Sequence, residues 1–341
     1  MAELIKYFSS REAFSVSLIL FGIKRDIFYD LPADVVVHRP SFKFGQNFRW
    51  FFSIRTMFFL RNVIKSINPD VCLSFGEYWN NFVLLSTYGL KLPIYVSDRC
   101  QPDKSLGFLH DTLRKNLYPR AKGIIAQTNY AKEKYARYFY HPNIIVIGNP
   151  VRHIQSSISV TRNKVVLTVG RLIYTKHHDK LIESFLRVHK EGWKLVIIGG
   201  DAQKQSNAER LTQLIHNLNV EDKVILLGNR EDVDSFYLTS EIFAFTSSSE
   251  GFPNVIAEAQ SAGLPVVCFD CIAGPSEMVE DGFNGFLVPL FDYKEFESRL
   301  EKLMDDEELR LLFRTRAQVS IQKFSIETIG AAYELFLTSN D

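Results

Sequence analysis

Apolar and polar positions follow one rhythm along most of this chain. Apolar runs of about four to six residues end in Gly, Asp, Ser or Asn, and each is followed by a segment of helical period. In the second half the rhythm is regular. Lys164–Val169, Lys194–Ile198, Val224–Leu227, Phe243–Thr246 and Pro265–Val267 read as strands, and Asp179–Lys190, Ala208–Leu218, Val233–Thr239 and Asn254–Ala262 as the helices between them. Strands alternating with helices predict a parallel sheet covered on both faces. The first half shows strands at Phe14–Phe21, Val35–His38, Asp70–Phe75, Leu92–Ser97, Gly123–Gln127 and Asn143–Ile147. Met1–Phe8, a segment from Trp79, Leu106–Tyr118 and Tyr130–Tyr140 read as helices there. Gly148-Asn149-Pro150 ends this block, and the polar stretch Val151–Asn163 reads as a linker. Helices Tyr293–Met304, Glu307–Gln322 and Ile326–Leu337 close the chain. With 341 residues and 46% hydrophobic content, two doubly wound α/β domains with separate cores are expected.

No apolar run approaches the ~18–20 residues of a membrane span, and Met1 opens no signal-peptide pattern. A cytoplasmic location is the expectation. Charge is unevenly placed. Residues 1–155 carry 21 Lys and Arg against 11 Asp and Glu, and residues 156–341 carry 19 against 28. One half is thus suited to an anionic surface. The four cysteines are too few for a disulfide framework, and Cys268-Phe-Asp-Cys271 has no second pair or His cluster to complete a metal site.

The chemistry concentrates at Phe243–Val267. A strand runs into the small polar loop Ser247–Phe252, then Pro253 at a first helical turn, then the helix from Asn254. A helix opening at such a turn offers unpaired N–H groups and partial positive charge to an anion. Glu250 and Glu258 bracket this turn, eight positions apart. Gly170, Arg171 and Lys176 lie in the loop after Lys164–Val169. Two such cations, each contributing about 1.5–3 kcal/mol per charge-assisted hydrogen bond, suit a diphosphate leaving group. No Asp-x-Asp metal motif is present, and no metal or cofactor is expected. Paired carboxylates also suit a hydrolase; the phosphate-type loop argues against water as acceptor.

Glu250-Gly-Phe-Pro-Asn-Val-Ile-Ala-Glu258 resembles the E-x7-E signature of the retaining glycosyltransferases of family 4, which have the GT-B fold. Gly170-Arg171 with Lys176, Gly274-Pro275-Ser276-Glu277 and Asp281-Gly282-Phe283-Asn284-Gly285 are similar to three further motifs of that family, across residues 163–325. The resemblance implies two Rossmann-like domains: residues 1–150 as acceptor domain, joined by the C-terminal helix 326–341 crossing back, and residues 151–325 as nucleotide-sugar domain. It implies a catalytic set of Glu250, Arg171 and Lys176. It also implies substrate contacts from Gly170, Arg230, Gly251, Phe252, Pro253, Asn254 and Glu258, with Glu258 on the ribose and the Asn229–Glu231 loop on the base. Reaction by front-face attack with retention, without a metal, is implied as well. His177 stands where relatives usually carry Gly. In the family a first strand and a glycine-rich turn precede the opening helix. Their absence implies that Met1 is internal to a longer frame and that neighbouring strands lack a ladder partner.

Ser41–Ile67 has no acid but carries Arg39 at its border and Lys43, Arg49, Arg55, Arg61 and Lys65, interleaved with Phe48, Trp50, Phe51, Phe52, Phe58 and Phe59. A helix of this composition suits an anionic membrane surface, where each basic residue adds about 1 kcal/mol. The other reading of the stretch has its aromatics facing the sheet and the cations solvated behind. No nucleic-acid motif accompanies the cations, and no nucleic-acid partner is expected. Glu77, Asp98 and Arg99 follow strands and face the ligand side of a parallel sheet. Relatives often carry His where Asp98-Arg99-Cys100 falls; Arg99 fits either an acceptor phosphate or an ion pair with Asp98. The expected activity is transfer of a hexose-type sugar from a nucleotide-sugar, a UDP-sugar above all. The acceptor is a lipid-linked or polysaccharide glycan at the inner face of the cytoplasmic membrane. The alternatives are an inactive, truncated, membrane-associated remnant of the same fold, and a sugar-nucleotide epimerase or phosphorylase.

Overall fold

A computed structural model describes residues 1–21, 27, 30–42, 48–155, 160–202 and 205–339. The chain forms two compact units, Met1–Pro150 with Ile326–Asp341, and Val151–Ser325. The first unit runs α1 (Ala2–Ser9), β1 (Ser17–Ile19), β2 (Val36–His38), α2 (Arg49–Ile67), β3 (Cys72–Phe75), α3 (Glu77–Ser86), β4 (Ile94–Ser97), α4 (Phe108–Leu117), β5 (Gly123–Ala126), α5 (Asn129–Phe139) and β6 (Ile144–Val146). The second unit runs β7 (Val165–Val169), α6 (His178–Arg187), β8 (Lys194–Ile198), α7 (Asn207–Asn217), β9 (Val224–Leu226), α8 (Val233–Thr239), β10 (Ile242–Phe245), α9 (Asn254–Ser261), β11 (Val266–Asp270), α10 (Pro275–Met278), β12 (Gly285–Pro289), α11 (Tyr293–Asp305) and α12 (Glu307–Ser320). Helix α13 (Ile326–Thr338) then belongs to the first unit again.

The second unit holds one six-stranded parallel sheet in the order β12-β11-β10-β7-β8-β9. The chain leaves β7 in one direction through β8 and β9, then returns to the other side of β7 with β10. The strand order therefore reverses between β7 and β10, and the loops after these two strands flank the crevice where a doubly wound sheet binds ligand. The strands read as continuous β-branched runs because both faces are covered; Leu167, Ile197, Ile242 and Val267 are fully buried. Helix α6 shows why its segment is helical. Leu181, Ile182 and Phe185 fall on one buried face, while Lys180, Glu183 and Arg187 form ion pairs on the other. Each fully buried Phe or Leu contributes about 1.5–3 kcal/mol. Asp292 and Asp306 cap α11 and α12 by accepting from Glu295 N–H and Leu309 N–H, worth about 1 kcal/mol each.

The first unit's strands form two parallel sheets, β1-β2 and β3-β4-β5-β6. Among the described residues β1 and β3 each carry a ladder on one side only. Strands β4 and β5 are buried throughout. Helix α13 lies against α1, where Tyr7 donates to Glu334 at 3.0 Å, and sets Phe336 edge-on to Tyr95. The strand expected over Phe14–Phe21 shrinks to Ser17–Ile19, because aromatic packing takes its two ends. Phe14 packs edge-on to Phe8, and Phe21 stacks on Trp79 with centroids 4.7 Å apart.

Helix α2 splits the aromatic stretch between the two readings of it. Leu60 and Ile64 are buried and Phe52 and Phe59 half-buried, whereas Trp50 (68% exposed), Phe51, Ile54 and Phe58 (62%) form an outward stripe at helical spacing. The cations divide too. Arg61 is not a solvated basic residue: it donates to Ser86 O and Tyr88 O at 3.0 and 2.9 Å, tying α2 to the end of α3. Arg55 lies over the Phe42 ring. Lys43 and the Arg49 side chain fall outside the described residues. No helix among the described residues is long and apolar enough to cross a membrane.

Candidate active site

Two loops meet at the β7–β10 crevice. After β7, Gly170 and Arg171 lead to a single turn, Tyr174–Lys176, and then to α6. After β10, Thr246–Phe252 lead to α9. Several hydrogen bonds lace them together. Ser248 N–H donates to Thr175 O at 2.8 Å, the Thr246 hydroxyl donates to Lys176 O at 2.8 Å, and His177 Nε2 lies 2.9 Å from Ser248 Oγ. Across this lacing Lys176 Nζ and Glu250 Oε1 form an ion pair at 2.7 Å, with both side chains about 85% buried (14% and 15% exposed). Lys176 Nζ also sits 4.6 Å from the centre of the Phe245 ring. The residue before α6 and the residue before α9 make no side-chain cap. The Asp179 carboxylate accepts from the N–H groups of Asp179 and Lys180 in α6, and Phe252 O and Pro253 O accept from Asn254 and Ile256 N–H in α9, while the positive dipole ends of both helices remain at these loops. Pro253 is the residue before α9 rather than its first helical residue.

Two glycines set the floor. A Cβ on Gly199, at φ +153°, would lie 1.8 Å from Gly170 O, so β7 and β8 approach this closely only without a side chain. A Cβ on Gly274, at φ +128°, would lie 2.2 Å from Pro253 Cδ, and the turn before α10 thereby supports the start of α9.

The structure brings together Gly170, Lys176 and Glu250; a Cβ on Gly170 would sit 3.5 Å from Lys176 Cε. Gly251 and the buried Phe252 and Pro253 continue the same turn, with Phe252 edge-on to Phe324. Arg171 is exposed, and its side chain makes no ion pair or hydrogen bond among the described residues. Asn254 is exposed at the first turn of α9. Glu258 lies in a neighbouring cluster that the sequence did not single out. Tyr237 donates to its Oε2 at 3.1 Å, and Arg152, bidentate with Asp234, comes within 3.6 Å of its Oε1. Burial raises the Glu258 carboxyl above its ordinary range, against the opposing pull of Arg152 and the Tyr237 hydrogen bond. Arg230 is exposed and bidentate with Asp232, two residues on. His177 adopts φ +50°, a conformation glycine takes without strain, and burial lowers its pKa. Cys268 and Cys271 are free and buried; burial, and then Glu250, push the Cys271 thiol up to about 12.

In the first unit the alternative pairing of Arg99 with Asp98 is not formed. Asp98 is held by Arg114, by Tyr118 Oη at 2.5 Å and by Asn80 Nδ2 at 2.9 Å. Glu77 Oε1 accepts from the backbone N–H of Arg99 and of Cys100 at 2.7 and 2.6 Å. The Arg99 guanidinium points instead at Asn149, Tyr333 and the Phe75 ring. Tyr237, Arg152, Asn149, Gln127 and Tyr333 were all missed from sequence. Gln127 and Asn149 alone carried a signal, since each stands just beyond an apolar run.

Residues 152–319 match the family described as glycosyl transferases group 1. Over 275 residues the chain is 30% identical to the amylovoran biosynthesis glycosyltransferase AmsD of Erwinia amylovora, covering 78% of this chain and 76% of that protein. A Campylobacter jejuni α-1,4-N-acetyl-D-galactosaminyltransferase, named for its GalNAc-containing diphospho-undecaprenol acceptor, is 25% identical over 322 residues, covering 92% of this chain and 87% of that one. Among solved structures, a glycosyltransferase from Rickettsia africae superposes with a TM-score of 0.81 at 16% identity, covering 99% of this chain and 94% of that one. Anabaena HepE, solved in complex with UDP, gives 0.74 at 21% identity, with 89% and 86% covered. Sequence identity, strand order and backbone likeness agree: the chain belongs to the group 1 glycosyl transferases and has the GT-B fold.

Proposed function

We propose that the chain is a retaining, metal-independent glycosyltransferase that moves a hexose-type sugar from a UDP-sugar to a lipid-linked or polysaccharide glycan. The Lys176–Glu250 pair at the strand-order switch point carries this reading. Breaking a sugar–diphosphate bond builds negative charge on the leaving oxygens. Lys176, the exposed Arg171 and the amino ends of α6 and α9 would meet that charge with donors already in place. Glu250, on the loop that opens α9, faces the sugar and the positive charge developing at its anomeric carbon. Gly170 and the Gly251–Asn254 turn hold phosphate and sugar, Glu258 takes the ribose hydroxyls, and Arg230 borders the base. The second unit is thus the donor domain and the first the acceptor domain. The names of the Erwinia and Campylobacter relatives favour a glycan acceptor, lipid-linked in the Campylobacter case.

The outward stripe Trp50, Phe51, Ile54 and Phe58 on α2 supports membrane contact through Ser41–Ile67 at the inner face. The experiment is a screen of nucleotide-sugars for acceptor-dependent release of nucleotide, with and without excess chelator, and with the product anomer read by NMR. Arg171→Ala, Lys176→Ala and Glu258→Ala should each lower turnover at least 100-fold, corresponding to about 2.7 kcal/mol. Wild-type-like rates in all three, or an inverted product, would end it.

A further inference from the structure

We infer that the carboxyl ends of the first unit's strands form an anion site centred on Arg99, which takes a phosphate group of the acceptor. This rests on the first unit being the acceptor domain. Four neighbouring parallel strands, β3 to β6, each deliver one residue to the site: Phe75 ends β3, Arg99 follows β4, Gln127 follows β5 and Asn149 follows β6. Ligands of parallel α/β sheets lie outside these ends.

Each side chain in contact with the guanidinium is neutral, and the Met1 amino group lies near enough to feel its charge. Nη1 donates to Asn149 Oδ1, and Nη2 reaches Tyr333 Oη at 3.3 Å. Gln127 presents its oxygen 2.9 Å from Nη1 in the amide orientation that satisfies both of its polar atoms. The Phe75 ring lies 4.4 Å beneath. The two acids at hand are occupied elsewhere. Asp98 is neutralised by Arg114 and hydrogen-bonded by Tyr118 and Asn80, and Glu77 is spent on the two amides that fix the Arg99–Cys100 loop. Arg99 is therefore held in place by its loop and its neutral partners, half-buried, with no carboxylate paired to its guanidinium among the described residues. A planar fork of donors in that state fits two oxygens of a phosphate. Residues 1–155 carry a surplus of ten positive charges, which draws in a multiply charged anion.

The test uses the full chain carrying Arg171→Ala and Lys176→Ala, which removes the donor-side cations. Inorganic pyrophosphate, inorganic phosphate and a short prenyl diphosphate in detergent are titrated by calorimetry, with glucuronate as the carboxylate arm. Pyrophosphate should bind, Arg99→Gln should weaken it at least tenfold, and Arg99→Lys should recover part of the loss. Tighter binding of the prenyl diphosphate than of pyrophosphate assigns the phosphate to a lipid-linked acceptor. Unchanged affinity in Arg99→Gln, or glucuronate binding as tight as pyrophosphate, overturns the site. Tyr333→Phe covers a purely bracing role: it removes one neutral partner and should cost less than threefold. If it costs as much as Arg99→Gln, Arg99 is a brace for α13 and the site is refuted. UDP-sugar affinity of the wild-type chain reads the donor site separately, so failure at Arg99 and failure of the transferase reading are distinguishable.

Discussion

Glu250→Gln separates the two roles that the Lys176–Glu250 pair combines. The substitution keeps shape and hydrogen-bonding capacity and removes one charge. Glu250 is the counterion of Lys176 at 2.7 Å. A diphosphate oxygen that engages Lys176 comes within about 5 Å of that carboxylate, where two like charges repel by about 3 kcal/mol at an effective dielectric near 20. Both side chains keep a little exposure, 14% and 15%, so solvent screening leaves about 1–2 kcal/mol. UDP should therefore bind Glu250→Gln about 5- to 30-fold more tightly than wild type. Stability moves the other way. Lys176 loses its partner at a mostly buried site, which costs about 1–2 kcal/mol after discounting for exposure. For a unit of this size Tm should fall by about 2–8 °C. Saturating UDP should restore it, since about 2.7 kcal/mol accompanies ligand at a hundredfold excess over Kd. Turnover should drop at least 100-fold if, as proposed, this carboxylate faces the sugar. Calorimetric UDP titration, thermal melts with and without UDP, and steady-state kinetics read all three. Weaker or equal UDP binding in Glu250→Gln would show that Glu250 does not compete with the diphosphate for Lys176, and the assigned roles would be wrong.

Gly199→Ala should abolish folding of the second unit or lower Tm by more than ~10 °C, as expected for roughly 3 kcal/mol or more of overlap and strain, because its Cβ falls 1.8 Å from Gly170 O; a normal melt would contradict the close approach of β7 and β8. Burial raises the Glu258 carboxyl, so its charged form costs stability that is regained below the unfolded value of 4.5. Glu258→Gln should accordingly raise Tm at pH 7–8, lose that advantage below pH 4.5, and weaken UDP binding at least tenfold; a lower Tm at pH 8 would refute it. Burial, aided by Lys176, lowers His178 from 6.5 to about 4. The stability it lends is complete above pH 6.5 and is lost as pH falls from 6.5 toward 4. His178→Gln should flatten the melt profile over that window, and an unchanged slope would exclude His178 as the cause. Trp50→Asp with Phe58→Asp should abolish flotation with anionic vesicles while leaving Tm within about 2 °C, since both side chains are more than 60% exposed; retained flotation would remove α2 as the membrane contact.

The alternation of apolar runs and helical segments was legible because short-range effects set it. Residue period, β-branching and turn chemistry are local, and they place β7 to β11 and helices α6 to α9 to within a few residues. The motif around α9 was also legible, since Glu250 and Glu258 are separated by a loop and one helical turn of known rise. Phe14–Phe21 failed as a full strand because ring packing on Phe8 and Trp79 overrode local preference.

Partners far apart in sequence were decided only by the tertiary structure. Lys176 meets Glu250 across 74 positions because β10 returns beside β7 rather than beside β9. No local pattern states that choice, since a parallel strand is equally apolar toward either neighbour. The same holds for Asp98, which the chain order sets beside Arg99 but the fold gives to Arg114, and for Glu258, which the fold surrounds with Tyr237 and Arg152. Which aromatics of α2 look outward was likewise settled by where the sheet lies, because a helix apolar on two faces carries no mark of its buried one. Sequence thus determined the elements and the kinds of chemistry they carry; packing decided which charges would face each other.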